Sequence, residues 1–270
     1  MNEFPGVGLR SELVSARNLL NAVNRASSSA TSAWLIYLAL AAFFIVALAG
    51  VTHKDLLLNS PIALPILQIS IGLDRFFLFA PPLFILIHIG MMMQYAVLTR
   101  KVYAFLGLIE KEEGQGASEE APIVTLHPLR YELNSDFFTQ FLAGAPQAGI
   151  FTFLQQMIVW VTLIMLAAIV LIYFQIAALP YHDIGLTWAH RIYVLADLVL
   201  VAIVGTFMPS PMIGFWASFR FGWRTYPVFM LVTAASFAAI FAFSFFVSTV
   251  PGEQMDRTLA APVLDRKSVV

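Results

Sequence analysis

Five long apolar runs, separated by polar stretches, set the pattern of this 270-residue chain: Ala33–Val51, Phe76–Leu98, Leu154–Leu179, Ile192–Phe207 and Tyr226–Val250. A helix needs about 20 apolar residues to cross a hydrocarbon core roughly 30 Å thick. The runs therefore predict an all-α, polytopic integral membrane protein with about five transmembrane helices. Pro81-Pro82 removes two backbone donors within the second run, so that helix is expected to kink or to start late. The remainder divides into an amphipathic juxtamembrane segment over 1–32, a polar loop over 100–150 and a polar tail over 251–270.

The polar stretches carry local signals of their own. In Ser11–Ser32, Leu13, Ala16, Leu20, Val23 and Ala30 fall roughly on one helical face, and Arg10, Arg17 and Arg25 on another. Such a segment either lies in the membrane interface, with its arginines towards lipid phosphates, or simply extends helix one. Between helices one and two, Pro61 and Pro65 oppose a continuous helix, and the alternation Ile66-Leu67-Gln68-Ile69-Ser70-Ile71 suits an extended segment or hairpin at the membrane surface. In the 100–150 loop, glutamates around Gly114-Gln115-Gly116 predict a solvated turn. Leu126–Leu142 predicts a short helix, capped by Asn134-Ser135-Asp136 before Phe137-Phe138. Pro180–Arg191 reads as a short connection into helix four.

Composition agrees with the pattern. Hydrophobic residues make up 60% of the chain and charged residues 11%, against about 25% charged in an ordinary soluble domain. A net charge of -1 offers no basic stripe, so no nucleic-acid partner is expected. With no cysteine, disulfides, iron–sulfur clusters and thiolate metal sites are excluded. The first apolar run ends in Ala47-Leu48-Ala49-Gly50 without a cleavage region, which predicts that helix one stays as a signal anchor. With the N-terminus inside, 9 of the 15 lysines and arginines fall in inner segments. This bias orients the N-terminus towards the cytoplasm. The tail then lies outside, unless the short fourth run is re-entrant.

Two groups of residues are candidates for chemistry. Asp197 lies within the fourth run, where a carboxylate costs a few kcal/mol, so it should face the bundle interior and be paired or protonated. Tyr193 and His190 share its face, and His88 and Arg75 of helix two are candidate partners. Asp197 with His88 forms either a proton or ion relay or a structural hydrogen bond between helices. The second group is a loop cluster of His53, Asp55, His182, Asp183, His190 and Arg191. Imidazole and carboxylate suit zinc, copper or iron, which makes His53, His182, Asp183 and His190 a candidate metal site. The alternative takes Tyr181 and Trp188 as interfacial aromatics, Asp183 and Thr187 as turn or capping residues, and Arg191 as a side chain reaching headgroups. Gln155, Gln156 and Gln175 read as interfacial or interhelical contacts. Met91-Met92-Met93 and the helix-five phenylalanines read as packing and lipid-facing bulk. No catalytic motif occurs, and no cofactor is expected beyond that candidate metal.

Several stretches together resemble a known family. Thr52-His53-Lys54-Asp55-Leu56-Leu57-Leu58, Ser60-Pro61-Ile62-Ala63-Leu64-Pro65-Ile66-Leu67 and Phe76-Phe77-Leu78-Phe79-Ala80-Pro81-Pro82-Leu83-Phe84 form one signature. Leu179-Pro180-Tyr181-His182, Thr187-Trp188-Ala189-His190-Arg191 and Ala196-Asp197-Leu198-Val199-Leu200 form a second. In this order they resemble the N-terminal membrane region of bacterial pentapeptide-repeat proteins, over most of Asn18–Val250. The resemblance implies a bacterial inner-membrane anchor for a β-solenoid. Glu253–Val270, however, contains no Ala-Asp/Asn-Leu-x-x repeats, so the chain is either that module alone or a cut form of it. The expectation is a non-enzymatic membrane scaffold or anchor, with the lipid bilayer and another protein or a homo-oligomer as partners. The alternatives are a proton- or ion-coupled transporter or channel component using Asp197 and His88, and a metal-dependent membrane enzyme.

Overall fold

The computed structural model describes residues 5–64, 69–115, 129, 132–134, 136–143, 154, 157–206 and 227–247. Helix α1 spans Pro5–Ala49 and is followed by the short α2, His53–Leu57. Strands β1, Pro61–Leu64, and β2, Ile69–Gly72, pair antiparallel with Ile62 opposite Ile71. Helix α3 then runs over Leu73–Gln115, and α4 covers Phe137–Ala143. Helix α5, Met157–Tyr181, contains a π-helical turn at Val161–Met165 and ends in a 3₁₀ turn. Helix α6 spans Ile184–Thr206. Helix α7, Pro227–Ala242, continues as a second π-turn over Phe243–Val247.

Among the described residues four helices, α1, α3, α5 and α6, are long and apolar enough to cross a membrane; the apolar part of α7 is shorter, Leu231–Phe246. The chain is thus an all-α, polytopic membrane protein. The fourth span is longer than the hydropathy run that announced it. Helix α6 begins at Ile184, where the Asp183 carboxylate accepts from the backbone N–H groups of Gly185 (2.7 Å) and Leu186 (3.2 Å). That is the N-cap arrangement, and it moves Thr187–Arg191 out of the predicted connection into the first two helical turns.

The predicted 100–150 loop is corrected in the same way. Helix α3 continues through Arg100 to Gln115, and α1 continues back through the amphipathic segment to Pro5. At 1.5 Å per residue, 45 residues extend about 67 Å, roughly twice the hydrocarbon thickness. The apolar stripe explains the extension. Ala16, Leu20, Val23 and Ala30 are buried inside the protein rather than in the acyl boundary, in one core with Leu98, Val102, Phe105 and Ile109 of α3. The i, i+3, i+4 spacing of both sets is that of facing helical stripes. The extension of helix one, not an interfacial segment, is therefore what the structure shows.

Outward-facing side chains mark the membrane level. Leu35, Ile36 and Val46 of α1, Phe79, Leu86 and Met93 of α3, and Ile192, Val199 and Ile203 of α6 are exposed. Inside the bundle, Phe44 meets Phe76, Phe84 and Phe174 at ring-centroid distances of 5.9, 5.7 and 5.2 Å, contacts worth about 0.5–1.5 kcal/mol each. Met91 and Met92 are buried and Met93 is exposed, as three consecutive helical positions require.

The hairpin region is fastened at two points. Thr52 and Asp55 form a reciprocal capping box on α2. Asn59, at φ 47°, donates its amide to Asp74 Oδ1 and accepts from the Asp74 backbone, both at 3.0 Å. A Cβ at Gly72 would lie 2.7 Å from that carboxylate oxygen, so a larger residue there would displace the latch. The hairpin matches the expectation for this stretch, with 65–68 outside the described residues. Also outside them lie Gly116 and the glutamates at 119 and 120, the Gly144–Gly149 break, Gln155 and Gln156, Met208–Trp223 and the tail.

Candidate functional site

Helix α6 carries the polar side chains that hold the membrane core together, and each of three finds an irregular turn of a neighbouring helix. The first is Tyr193. Its hydroxyl donates to the Leu78 carbonyl of α3 at 3.1 Å. Leu78 would ordinarily accept from the backbone N–H of residue 82, which is proline and has none. The expected late start of this helix does not occur: α3 begins at Leu73 and runs through Pro81 and Pro82. Tyr193 takes one of the two carbonyls that the prolines leave unbonded. His190 packs beside the other, with its ring 6.4 Å from that of Phe77.

The second is Asp197. Its Oδ1 lies 2.7 Å from His88 Nδ1, with the side chains 2% and 0% exposed. His88 Nε2 lies 2.7 Å from the Leu163 carbonyl, inside the π-turn of α5 where the regular i→i−4 ladder is interrupted. Thr162, in the same turn, returns its hydroxyl to the Ile158 carbonyl at 2.7 Å. A carbonyl can only accept, so Nε2 carries its hydrogen, and this assigns the tautomer by chemistry. One further proton sits between Nδ1 and Oδ1: an imidazolium faces a carboxylate, or a neutral imidazole faces a carboxylic acid. Tyr37 stacks on the imidazole at 5.2 Å and on Phe84 at 5.4 Å. Three helices, α3, α5 and α6, thus meet at one sealed, polar point. The expectation that Asp197 faces inward, with His88 as partner, is met in the geometry; Arg75 is not the partner.

The third is Arg191. Its two expected places were a loop cluster and the headgroups, but its side chain is fully buried. Nε donates to the Ser244 carbonyl at 3.3 Å, in the second π-turn. Its guanidinium lies 4.9 Å from the Trp188 ring centroid and 5.9 Å from that of Phe245, distances at which a cation is attracted to the ring face. Gln175 of α5 completes the node: its amide donates to the same carbonyl and accepts from the Ser244 hydroxyl, both at 2.8 Å. Gln175 is therefore interhelical. Ser244 was not singled out in the sequence; a serine within a phenylalanine run was the only signal.

The loop cluster does not form a ligand set. Among the described residues no three His, Asp or Glu side chains gather as metal ligands, which overturns the candidate site at His53, His182, Asp183 and His190. The physical reasons are local. Asp183 is the N-cap of α6. His182 is exposed, at φ 52° in the reverse turn before it. His190 lies two turns inside α6, with Nδ1 donating to the Leu186 carbonyl at 2.9 Å. His53 is exposed on α2 and lines a groove of about 350 Å³ with Leu48, Leu56, Tyr173 and Pro180. Asp55 serves the capping box, and the Thr52 hydrogen bonds hold its carboxyl below the usual carboxylate range.

A separate polar junction joins α1 to the segment before α4. Asn24 Nδ2 donates to the Glu132 carbonyl (3.1 Å) and its Oδ1 accepts from the Asn134 backbone (2.9 Å). The buried Ser27 hydroxyl meets the Asp136 carboxylate and Thr139 Oγ1. Phe138 of α4 then packs on Trp34 and Tyr95 at 5.1 and 4.3 Å. The helix predicted over Leu126–Leu142 is shortened: Glu132, Leu133, Asn134 and Asp136 are not helical, and α4 starts at Phe137, with the Asp136 carboxylate engaged by Ser27. No family model, no curated protein and no solved structure matches this chain.

Proposed function

We propose that the protein is a non-enzymatic membrane scaffold or anchor, a subunit that presents a platform to a partner protein or to further copies of itself. The observation that supports this most is the use made of its intramembrane polar groups. His88, Asp197, Tyr193, Gln175 and Ser244 all spend their hydrogen bonds on neighbouring helices, the pattern of interhelical fastening. The long α1–α3 pair, with α4 docked on it, offers rigid surface beyond the bilayer. Under the pentapeptide-repeat resemblance the membrane is a bacterial inner membrane, and the lysine and arginine bias puts the N-terminus in the cytoplasm.

The test is gentle purification of the tagged protein from its own membrane, after crosslinking. A reproducible stoichiometric partner or a defined homo-oligomer is expected; a lone monomer under crosslinking overturns the reading. The direct His88–Asp197 contact favours a second reading, a proton-coupled transporter or channel component, because intramembrane ionisable pairs often mark proton paths. Asp197→Asn decides between them. Proteoliposome proton flux unchanged beside intact assembly leaves the scaffold, and loss of a flux present in the wild type establishes the relay.

A further inference from the structure

Beyond the fastening of helices, a cleft on α1 has the chemistry of an anion site. It is a shallow, open cleft of about 690 Å³ lined by Asn21, Asn24, Arg25, Ser28, Ser29 and Asn134. None of the six is acidic. Asn24 and Asn134 are spent on each other and on Glu132, and the Ser28 hydroxyl donates to the Asn24 carbonyl at 3.2 Å. Arg25 uses only Nε within the protein, on the Asn21 carbonyl at 3.3 Å. Its two terminal nitrogens, the Asn21 amide and the Ser29 hydroxyl have no partner among the described residues. The nearby Asp136 carboxylate is taken by the buried Ser27. What remains is a guanidinium fork flanked by neutral donors, the set that matches phosphate oxygens.

The depth of the cleft points to the source of the phosphate. Along α1 the exposed positions are polar at Arg17, Asn21, Arg25, Ser28 and Ser29, and apolar from Leu35 and Ile36 onward. Leu35 lies six positions beyond Ser29, about 9 Å along the axis. Helix α3 changes character at the same level: Val97 is exposed and apolar, Arg100 exposed and charged. We infer that this cleft binds a phosphate ester, that of an anionic phospholipid headgroup, with Arg25 as its principal anchor.

The test titrates the whole protein, in a non-ionic detergent, with phosphatidylglycerol, and counts bound lipid by native mass spectrometry. One tightly held lipid per chain is expected, with phosphatidylcholine held less well. Arg25→Gln should weaken retention about fivefold, the scale of one surface arginine against an anionic lipid. Ser29→Leu, which fills the cleft without removing charge, should weaken it comparably. Arg17→Gln removes an arginine of the same helix outside the cleft and should change retention less than twofold. Equal losses from Arg17→Gln and Arg25→Gln would overturn the site in favour of diffuse attraction. Displacement of the lipid by inorganic phosphate at equal concentration would overturn the lipid source and assign the cleft to a soluble phosphate. No retention of either ligand would overturn the inference outright.

Discussion

The α6 contacts and the α1–α4 junction both join helices through polar side chains, yet their alternatives on separation differ. Within the membrane core, a side chain that loses its carbonyl meets only hydrocarbon, and each of the three fastenings uses a carbonyl set apart by a proline or a π-turn. At the α1–α4 junction, water can take over the Asn24 and Asn134 hydrogen bonds. The comparison teaches where irregular backbone belongs in this fold. A broken helical ladder is kept where a neighbour's side chain completes it, whereas the described part of the α1–α4 junction is held by side-chain hydrogen bonds to the backbone of the segment before α4.

The largest test of that contrast is His88→Leu. It strands the Asp197 carboxyl in the core, and we expect a loss of about 3–5 kcal/mol, read by unfolding in detergent. His88→Leu with Asp197→Leu should recover part of that loss, because no ionisable group then remains unpaired. A double variant as unstable as the single one would break the comparison. Next, Asn24→Ala removes two hydrogen bonds at a hydrated junction and should cost about 1–2 kcal/mol. The effect should be confined to faster hydrogen exchange in Phe137–Ala143. Exchange accelerated throughout α1 and α3 would show the junction to be as central as the core.

A sharper, smaller measurement concerns the proline. Tyr193→Phe should cost about 1 kcal/mol in the wild type. In a Pro82→Ala background the helix recovers an N–H for Leu78, so the same change should cost close to nothing. Equal costs in both backgrounds would disprove the carbonyl-completion account. The smallest effect lies at the exposed capping box. The Asp55 carboxyl is held below its ordinary value by Thr52, so its contribution is complete above about pH 3.9 and is lost as pH falls through the lower, folded value. Protection of the His53–Leu57 amides should decline over that acidic window, and Asp55→Asn should abolish the decline.

The membrane class, the inward Asp197 with His88, the surface hairpin and the Asp136–Phe137 helix start were legible in the chain, because each is written in local residue types. The extent of the helices was not. Arg100, Lys101 and the arginines of α1 lower hydropathy just where the helices leave the bilayer, so a lipid-based reading ends them there. The stripe Leu98, Val102, Phe105 and Ile109 shows that they continue against each other. The start of α6 was missed for a related reason: His190 and Arg191 look like loop residues until α3 and the π-turn of α7 supply their surroundings. No residue type announces a π-turn, and so the destinations of Arg191 and of His88 Nε2 lay beyond sequence reasoning.

The locked Nε2 hydrogen of His88 has an electrical consequence. With that hydrogen fixed on Leu163, the pair with Asp197 holds one shared proton and has no net charge in either form. A full elementary charge crossing the membrane couples to voltage by about 2.3 kcal/mol per 100 mV. Moving the shared proton along a 2.7 Å contact traverses less than about a tenth of the hydrocarbon thickness, so the coupling stays below about 0.2 kcal/mol. The point where α3, α5 and α6 meet is therefore equally firm in an energised and in a depolarised membrane.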